Sequence, residues 1–295
     1  INGLHKATVQ KVNMDNNQRS NIGYLGRASY SYDDRYFFTG SYRRDGASVF
    51  GVNQKWGDFF AFGGAWRLSS EKFMSSISYL DDLKLKLSWG KNGNQGLDPY
   101  GTLSTINNGA SGGVRYEFGG SDIIYGLNQK ALGNANLGWE TTESWNTGFE
   151  SAWLGSRLFV DLDLYFSKTT DQIFTRDIPV MTGFKNMKSS MGQVNNRGVE
   201  LTIRSVNIDT QDWYWTTNLT FWLNRNKLIH LYGEDLDGDG REDDDISNSR
   251  FIGKPLGAIY GYLQDGIVQE TDVEYMKANG ATPGIPKYKD MDNDG

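Results

Sequence analysis

The chain has 295 residues, 38% of them hydrophobic, and its 30 basic and 36 acidic residues give a formal charge of −6. It contains no cysteine and two widely separated histidines, which excludes a disulfide scaffold, a zinc ribbon and a thiol nucleophile and leaves little for a histidine-based metal site. Residues 234–245, EDLDGDGREDDD, contribute −7 by themselves and leave the remainder at about +1, so the acidity is local and says little about a global partner.

Hydrophobic mass is carried by rings: 16 Tyr, 15 Phe and 9 Trp stand beside 36 Gly and 5 Pro, with a mean hydropathy of −0.57. No run approaches the roughly 18 apolar residues of a membrane helix, and the opening INGLHKATVQ has no signal-peptide pattern. A β-barrel wall escapes that test, because its crossings are alternating segments of about ten residues.

That alternation runs along the chain. NIGYLGRASYSY (21–32) sets Ile22, Tyr24, Ala28, Tyr30 and Tyr32 against Arg27, Ser29 and Ser31. RYFFTGSYRR (35–44) and FFAFGGAWRLS (59–69) follow, and SSEKFMSSISYLDDL (69–83) reads as a Ser-capped helical turn. LKLKLSW (83–89) alternates Leu and Trp with Lys84, Lys86 and Ser88; ESWNTGFESAW (143–153) comes next; LFVDLDLYF (158–166) opposes five apolar residues to Asp161 and Asp163. RGVELTIRSV (197–206) and WYWTTNLTFWLN (213–224) complete about eight strands.

Strand length selects the architecture. About ten residues at ~3.4 Å each, tilted by about 45°, span ~25 Å, the height of an outer-membrane apolar band, whereas sandwich strands have a mode of about five to six residues. Tyr36, Phe59, Trp89, Trp153, Trp213 and Trp215 fall at strand ends, where an interfacial girdle would place them. SYDDRY (31–36) and WLGSR (153–157) are tight turns, while 92–142 and 225–258 are long excursions, the outer-membrane asymmetry of short turns at one end and long extracellular loops at the other.

The second face carries Arg27, Arg43, Arg67, Lys84, Lys86, Asp161, Asp163, Glu200 and Arg204. Unpaired charge is costly in the packed interior of a small barrel, but a large one of about 22 strands has room for a wet or plugged lumen. The expected fold is therefore all-β, an antiparallel transmembrane barrel wall that forms part of a larger barrel, with a soluble sandwich as the alternative. Residues 1–295 are read as one partial barrel domain, a fragment of a larger wall, because the chain opens in an uncapped loop and stops inside a DxDxDG run.

Chemical motifs are sparse. Asp235, Asp237 and Asp239 with Gly240 match the first half of an EF-hand calcium loop, but the twelfth position, which needs a bidentate acid, is Ile246, with Asp243 to Asp245 just before it. Asp290, Asp292 and Asp294 repeat the pattern before Gly295. Both runs are calcium candidates, a solvated acidic loop or direct ligand contact being the alternatives for the first; no other cofactor is expected. The Asp161/Asp163 pair has no nucleophile or histidine nearby and is read as lumen charge rather than acid/base machinery. RRDG (43–46) is read as a strand-end turn, not a nucleic-acid patch, and Trp139, Trp145 and Trp153 as girdle or packing residues rather than sugar platforms.

The segment YSYDDRYFFTGSYRRDGASVFGVNQKWGDFFAFGGAWRLSSEKFM (30–74) with LDDLKLKLSWGKNGNQ (80–95) resembles the barrel of SusC/RagA-type TonB-dependent outer-membrane transporters of Bacteroidota. NANLGWETTESWNTGFE (134–150) is similar to that family's N-P-x-L-x-W-E stretch, with Ala135 where proline is usual; NNRGVELTI (195–203) resembles its N-x-G-x-E strand and IGKPLGAIYGY (252–262) its G-x-P-x-G-x-x-Y-G-Y segment. The resemblance implies a 22-stranded barrel closed by an N-terminal plug outside this chain, set in outer-membrane lipid. It also implies a SusD-like lipoprotein over the mouth, TonB acting through the plug, and import of oligosaccharide or peptide without enzymatic chemistry. A surface adhesin and a passive porin are the competing functions.

Overall fold

The computed structural model describes residues 16–108, 115–117, 123–184 and 186–289. Eight long strands form one antiparallel meander in which each inner strand pairs with the preceding and following long strand. These are β1 (Asn21–Tyr32), β2 (Tyr36–Ala47), β3 (Trp56–Arg67) and β4 (Leu80–Asn94), then β9 (Glu140–Trp153), β10 (Leu158–Asp177), β11 (Asn186–Asp209) and β12 (Tyr214–His230). Between β4 and β9 lie the short strands β5 (Thr105–Asn108), β6 (Arg115–Glu117), β7 (Ile123–Tyr125) and β8 (Leu127–Ala131), paired β5 with β8 and β6 with β7. After β12 come β13 (Gln264–Ile267), the helix α1 (Val273–Asn279) and β14 (Pro286–Tyr288).

Among the described residues the sheet is a single layer with no second layer packed on either face, so large apolar side chains lie open on one of them: Tyr24, Phe62, Trp145, Leu164, Leu219 and Phe221 are all exposed. An open apolar face of this extent requires a nonaqueous neighbour. Burial is concentrated at the long-loop end. Ala47, Val49, Phe50, Leu97 and Leu137 form one core, with Trp139 and Ile173 packed against it. Phe174, Val194, Leu228 and Leu231 form a second, joined by Tyr232, Ile252 and Leu256.

At the opposite end the connections are tight. Asp33 and Asp34 take φ of 52° and 48° between β1 and β2, a primed hairpin turn that Asp tolerates because its short side chain bonds locally. Leu154, Gly155 and Ser156 are all left-handed between β9 and β10, and the turn is tied to the β3–β4 connection by Leu154 N to Tyr79 O (2.9 Å) and to the start of β4 by Ser156 N to Asp81 Oδ2 (2.8 Å).

Four expectations change. The helical turn expected over 69–83 is two 3₁₀ turns, Leu68–Ser70 and Lys72–Met74, without a side-chain cap. The capping side chains are drawn to the sheet instead: Ser69 Oγ donates to Asp82 (2.6 Å), and Glu71 accepts from Tyr36 Oη (2.7 Å) and Trp66 Nε1 (3.1 Å). The RRDG segment is not a turn, because β2 continues to Ala47 with Gly46 opposite Trp56. The loop expected from 225 begins only after His230, and β10 and β11 reach 20 and 24 residues, longer than a membrane crossing needs. Phe59 is not a girdle residue: its register opposite Arg43 puts it on the polar face, buried edge-on against Trp139 at 5.4 Å.

Candidate functional site: the two faces of the wall

The registers give every side chain a face. Arg27 pairs with Ser41, and Arg43 with Leu25 and Phe59; Arg67 pairs with Lys84, and Lys84 and Lys86 with Glu150 and Gly148. Glu150 and Gly148 pair with Asp161 and Asp163, which pair with Thr202 and Glu200, and Arg204 pairs with Phe159. All nine expected charges therefore share one face, because directly paired residues in a sheet point the same way and alternate residues follow them.

On that face Lys86 is the hub. Its Nζ lies 3.2 Å from Glu150, 3.0 Å from Asp161 and 3.1 Å from Asp163, and Lys84 adds 3.3 Å to Glu150. Gly148 makes the reach possible: it sits between Lys86 and Asp163 in the register, and a Cβ there would meet Leu162 O at 2.1 Å and Asp163 Oδ1 at 2.5 Å. Arg67 pairs with Asp82 (3.4 Å) and covers the Phe37 ring, and Arg43 pairs with Asp45 (2.6 Å). Arg27, Glu200 and Arg204 share the face but join no ion pair among the described residues. Glu150 and Gly148 were missed by the sequence reading, although ESWNTGFESAW places both at polar-face positions. Toward the long loops, Arg43, Asp45, Phe59, Asn92, Gln95 and Trp139 line a cleft of about 580 Å³ on this face.

The other face is free of charge over a defined height. From the tight turns upward it presents Tyr32 to Ile22, Tyr36 to Tyr42, Trp66 to Phe60 and Leu83 to Trp89, then Trp153 to Trp145, Leu158 to Phe166, Ser205 to Val199 and Trp215 to Leu223, each at alternate positions. None of those positions is Asp, Glu, Lys or Arg. About ten residues from the turns the next outward positions become charged: Arg44, Asp58, Lys91, Glu143, Lys168, Arg197 and Arg225. Ten residues at ~3.4 Å, tilted about 45°, set this collar ~24 Å above the turns, the height of an outer-membrane apolar band. Rings bracket the band: Tyr36–Trp66 (6.2 Å) and Tyr79–Trp153 (5.9 Å) stack at the turn end, and Phe62–Trp89 (6.0 Å) and Trp89–Trp145 (6.2 Å) meet near the collar.

The acidic loop is a folded structure. Asp235 accepts from the amides of Gly238, Asp239 and Gly240 (2.8, 3.1 and 3.0 Å), Asp237 from Asp239 N (3.0 Å), and Asp239 from Arg241 N (2.7 Å). Carboxylate oxygens of Asp235, Asp237 and Asp239 lie within 4.8 Å of one another, all exposed. These three fit part of a calcium shell. The acids that would close it are engaged elsewhere: Asp243 with Leu236 N, Asp244 with Ile252 N, and Asp245 with Tyr232, Asn248 and Arg250. Asp290, Asp292 and Asp294 lie outside the described residues.

The loop base is electrostatically firm. Burial pushes the Tyr232 hydroxyl up to about 12, aided by its hydrogen bond to Asp245. Burial would raise Asp245 as well, but hydrogen bonds from Tyr232, Asn248 and Ser247 outweigh it and hold the carboxyl below its ordinary range. Glu242 is likewise lowered, as the amides of Gly233 and Leu231 and the His230 ring outweigh burial.

A one-layer wall with a charged face, an uncharged ring-bracketed face of membrane height, tight turns at one end and folded loops at the other is the wall of an outer-membrane β-barrel. A family described as TonB dependent receptor-like, beta-barrel, matches residues 3–291, and the chain belongs to that family, a receptor and transporter family rather than an enzyme family. It is 32% identical to TonB-dependent receptor P39 of Formosa agariphila over 96% of this chain and 25% of that protein. It is 33% identical to TonB-dependent receptor SusC of Bacteroides thetaiotaomicron over 78% of this chain and 23% of that protein. The structure of the RagAB peptide importer in the closed-closed state superposes with a TM-score of 0.71 at 25% identity, covering 84% of this chain and 26% of that one. The chain thus spans about a quarter of the length of these relatives.

Proposed function

We propose that this chain is a wall section of a TonB-dependent importer that admits oligomeric nutrients, oligosaccharide or peptide, through a lumen lined by its charged face. The carrying observation is the segregation of charge: the cross-strand cluster centred on Lys86 faces one way and the uncharged band the other. A fixed, partly solvated ion network suits the inner surface of a wide, water-filled or plugged barrel and offers no nucleophile or acid/base pair with a histidine. In the whole protein a SusD-like lipoprotein would cover the long-loop end, and TonB would act through the plug; the similarity to SusC and to the RagAB importer supports that arrangement. The polar and aromatic cleft under the loops, with Arg43, Asn92, Gln95 and Trp139, is positioned for first contact with substrate.

The test is uptake by a strain lacking the full-length gene, grown on oligosaccharides or on peptides as sole nutrient. Loss of growth on one class that is restored by the intact gene, but not by a gene lacking its TonB-contacting segment, supports import and names the substrate. Unchanged growth on both, with retained surface binding, favours an adhesin. Uptake that persists without TonB favours a porin.

A second reading attaches to the acidic loop, where three carboxylates already converge within 4.8 Å. It is a low-affinity calcium loop, because the strongest ligand of such sites, a bidentate acid at the twelfth position, is replaced by Ile246.

A further inference from the structure

We infer that the outward collar of this wall carries a binding site for the phosphate groups of a lipid headgroup, built from Lys168, Arg197, Arg225 and Lys227. The inference rests on the outer-membrane placement and not on what the barrel carries.

The four cations converge through register. Arg197 of β11 stands directly opposite Arg225 of β12; one step further along the same face, Lys227 stands opposite Asn195, which stands opposite Lys168 of β10. Three adjacent strands thus place four positive charges in two neighbouring rows. Like charges directly opposite across an antiparallel pair are destabilising, so the Arg197–Arg225 pairing calls for an anion between or above the guanidinium groups. Among the described residues no carboxylate lies within ion-pair distance of any of the four. The nearest acid in the rows is Glu143, opposite Lys168, and it accepts a hydrogen bond from Trp89 Nε1 at 2.7 Å. Elsewhere on the collar a cation does have its acid, since Arg44 lies 3.6 Å from Asp58.

Position supplies the identity of the anion. Directly below the four lie Phe166, Leu164, Val199 and Leu223 on the apolar band, so a lipid with its chains against those side chains brings its headgroup to the level of the cations. Arg197, Arg225 and Lys227 are exposed on this face. Arginine pairs bidentately with phosphate oxygens and lysine adds point charge. The ligand class is therefore a phosphate-bearing lipid of the leaflet on the long-loop side, not a soluble anion, which would have no apolar contact there.

The test uses the full-length barrel in detergent, with native mass spectrometry after incubation with diphosphorylated lipid A, with the same lipid enzymatically dephosphorylated, or with inorganic phosphate alone. Retention of the phosphorylated lipid only, weakened about 600-fold in the variant with Lys168→Gln, Arg197→Gln, Arg225→Gln and Lys227→Gln, is the expected result, since each cation near an anionic surface contributes about fivefold. A charge-keeping variant, Lys168→Arg with Lys227→Arg, retains binding. Equal retention of the dephosphorylated lipid, inorganic phosphate matching the lipid, or full binding by the neutralised variant each overturns the assignment. The wild-type comparison of the two lipids decides it even where the fourfold variant fails to assemble.

Discussion

Lys86 of β4 and Asp163 of β10 belong to strands that are not neighbours, yet their charged atoms lie 3.1 Å apart, across the bare backbone of Gly148 on the strand between them. The pair sits on a half-exposed face, so its electrostatic worth is reduced by solvent, and its larger role is to fix the spacing of three strands. Lys86→Met leaves Asp161, Asp163 and Glu150 facing one another without their shared cation, and is expected to cost about 1–2 kcal/mol after allowance for screening. Its signature is a lower temperature for the loss of folded, fast-migrating protein on unheated gels. Pairing it with Asp163→Leu is expected to recover part of that loss, and an additive double variant would show that the two residues are uncoupled.

Gly148→Val inserts side-chain atoms where even a Cβ comes within 2.1 Å of Leu162 O. The strand must shift or the Lys86 bridge must open, at an expected cost of about 1–3 kcal/mol. Gly26, whose Cβ position meets nothing within 4 Å, provides the control: Gly26→Val is expected to leave the melting temperature nearly unchanged.

The two faces of β10 predict opposite responses to the same charge. Leu162→Arg puts a cation on the uncharged band and is expected to cost about 2–4 kcal/mol near the bilayer midplane, seen as reduced assembly in outer-membrane fractions. Asp161→Asn, one residue away on the charged face, is expected to assemble normally. Equal assembly defects would mean the faces are misassigned.

The acidic loop predicts a pH response with a definite sign. Asp245 and Glu242 are lowered from ordinary values of 3.8 and 4.5, so the stability they contribute is complete above those values and is lost as pH falls through the lower folded values. Tyr232, raised from 10.0 to about 12, contributes stability that is complete below pH 10 and is lost as pH rises toward 12. Hydrogen exchange of residues 231–258 is therefore expected to stay slow at neutral pH and to accelerate below about pH 4 and above about pH 10. Asp245→Asn is expected to speed it at pH 7.

Calcium titration of the refolded full-length protein is expected to show binding in the roughly 0.1–1 mM range typical of weak extracellular sites, abolished by Asp237→Ala. Equal heats for both proteins would reduce the loop to a hydrogen-bonded turn.

How far the sequence reaches differs along the chain. The period-two pattern of LFVDLDLYF and LKLKLSW was sufficient to place Lys84, Lys86, Asp161 and Asp163 on one face, because strand geometry converts alternation directly into sidedness. It failed at Phe59, where consecutive aromatics in FFAF leave the phase of the strand undetermined and only the register with Arg43 sets it. It also stopped short on β11, whose early part, NMKSSMGQVNN, stands beyond the apolar band and has no apolar period to detect. The loop cores around Phe50 with Leu137, and around Leu228 with Leu231, join residues far apart in sequence, so no local pattern marks them. The collar was legible in principle, since Arg44, Lys91, Lys168 and Arg225 each end an uncharged alternation, but recognising it as one level requires the tilt and pairing of all eight strands.

Substituted-cysteine labelling separates a wet charged face from a lipid-facing apolar face in this wall, since this segment has no cysteine of its own. In the full-length protein, with any cysteine elsewhere replaced, Leu162→Cys, Asp163→Cys, Leu164→Cys and Tyr165→Cys are introduced singly and treated in intact outer membranes with a charged thiol reagent or with a lipid-dissolved one. Alternation is expected, with residues 163 and 165 reacting with the charged reagent and 162 and 164 with the lipid-dissolved one. Uniform reaction of all four with the charged reagent would contradict it.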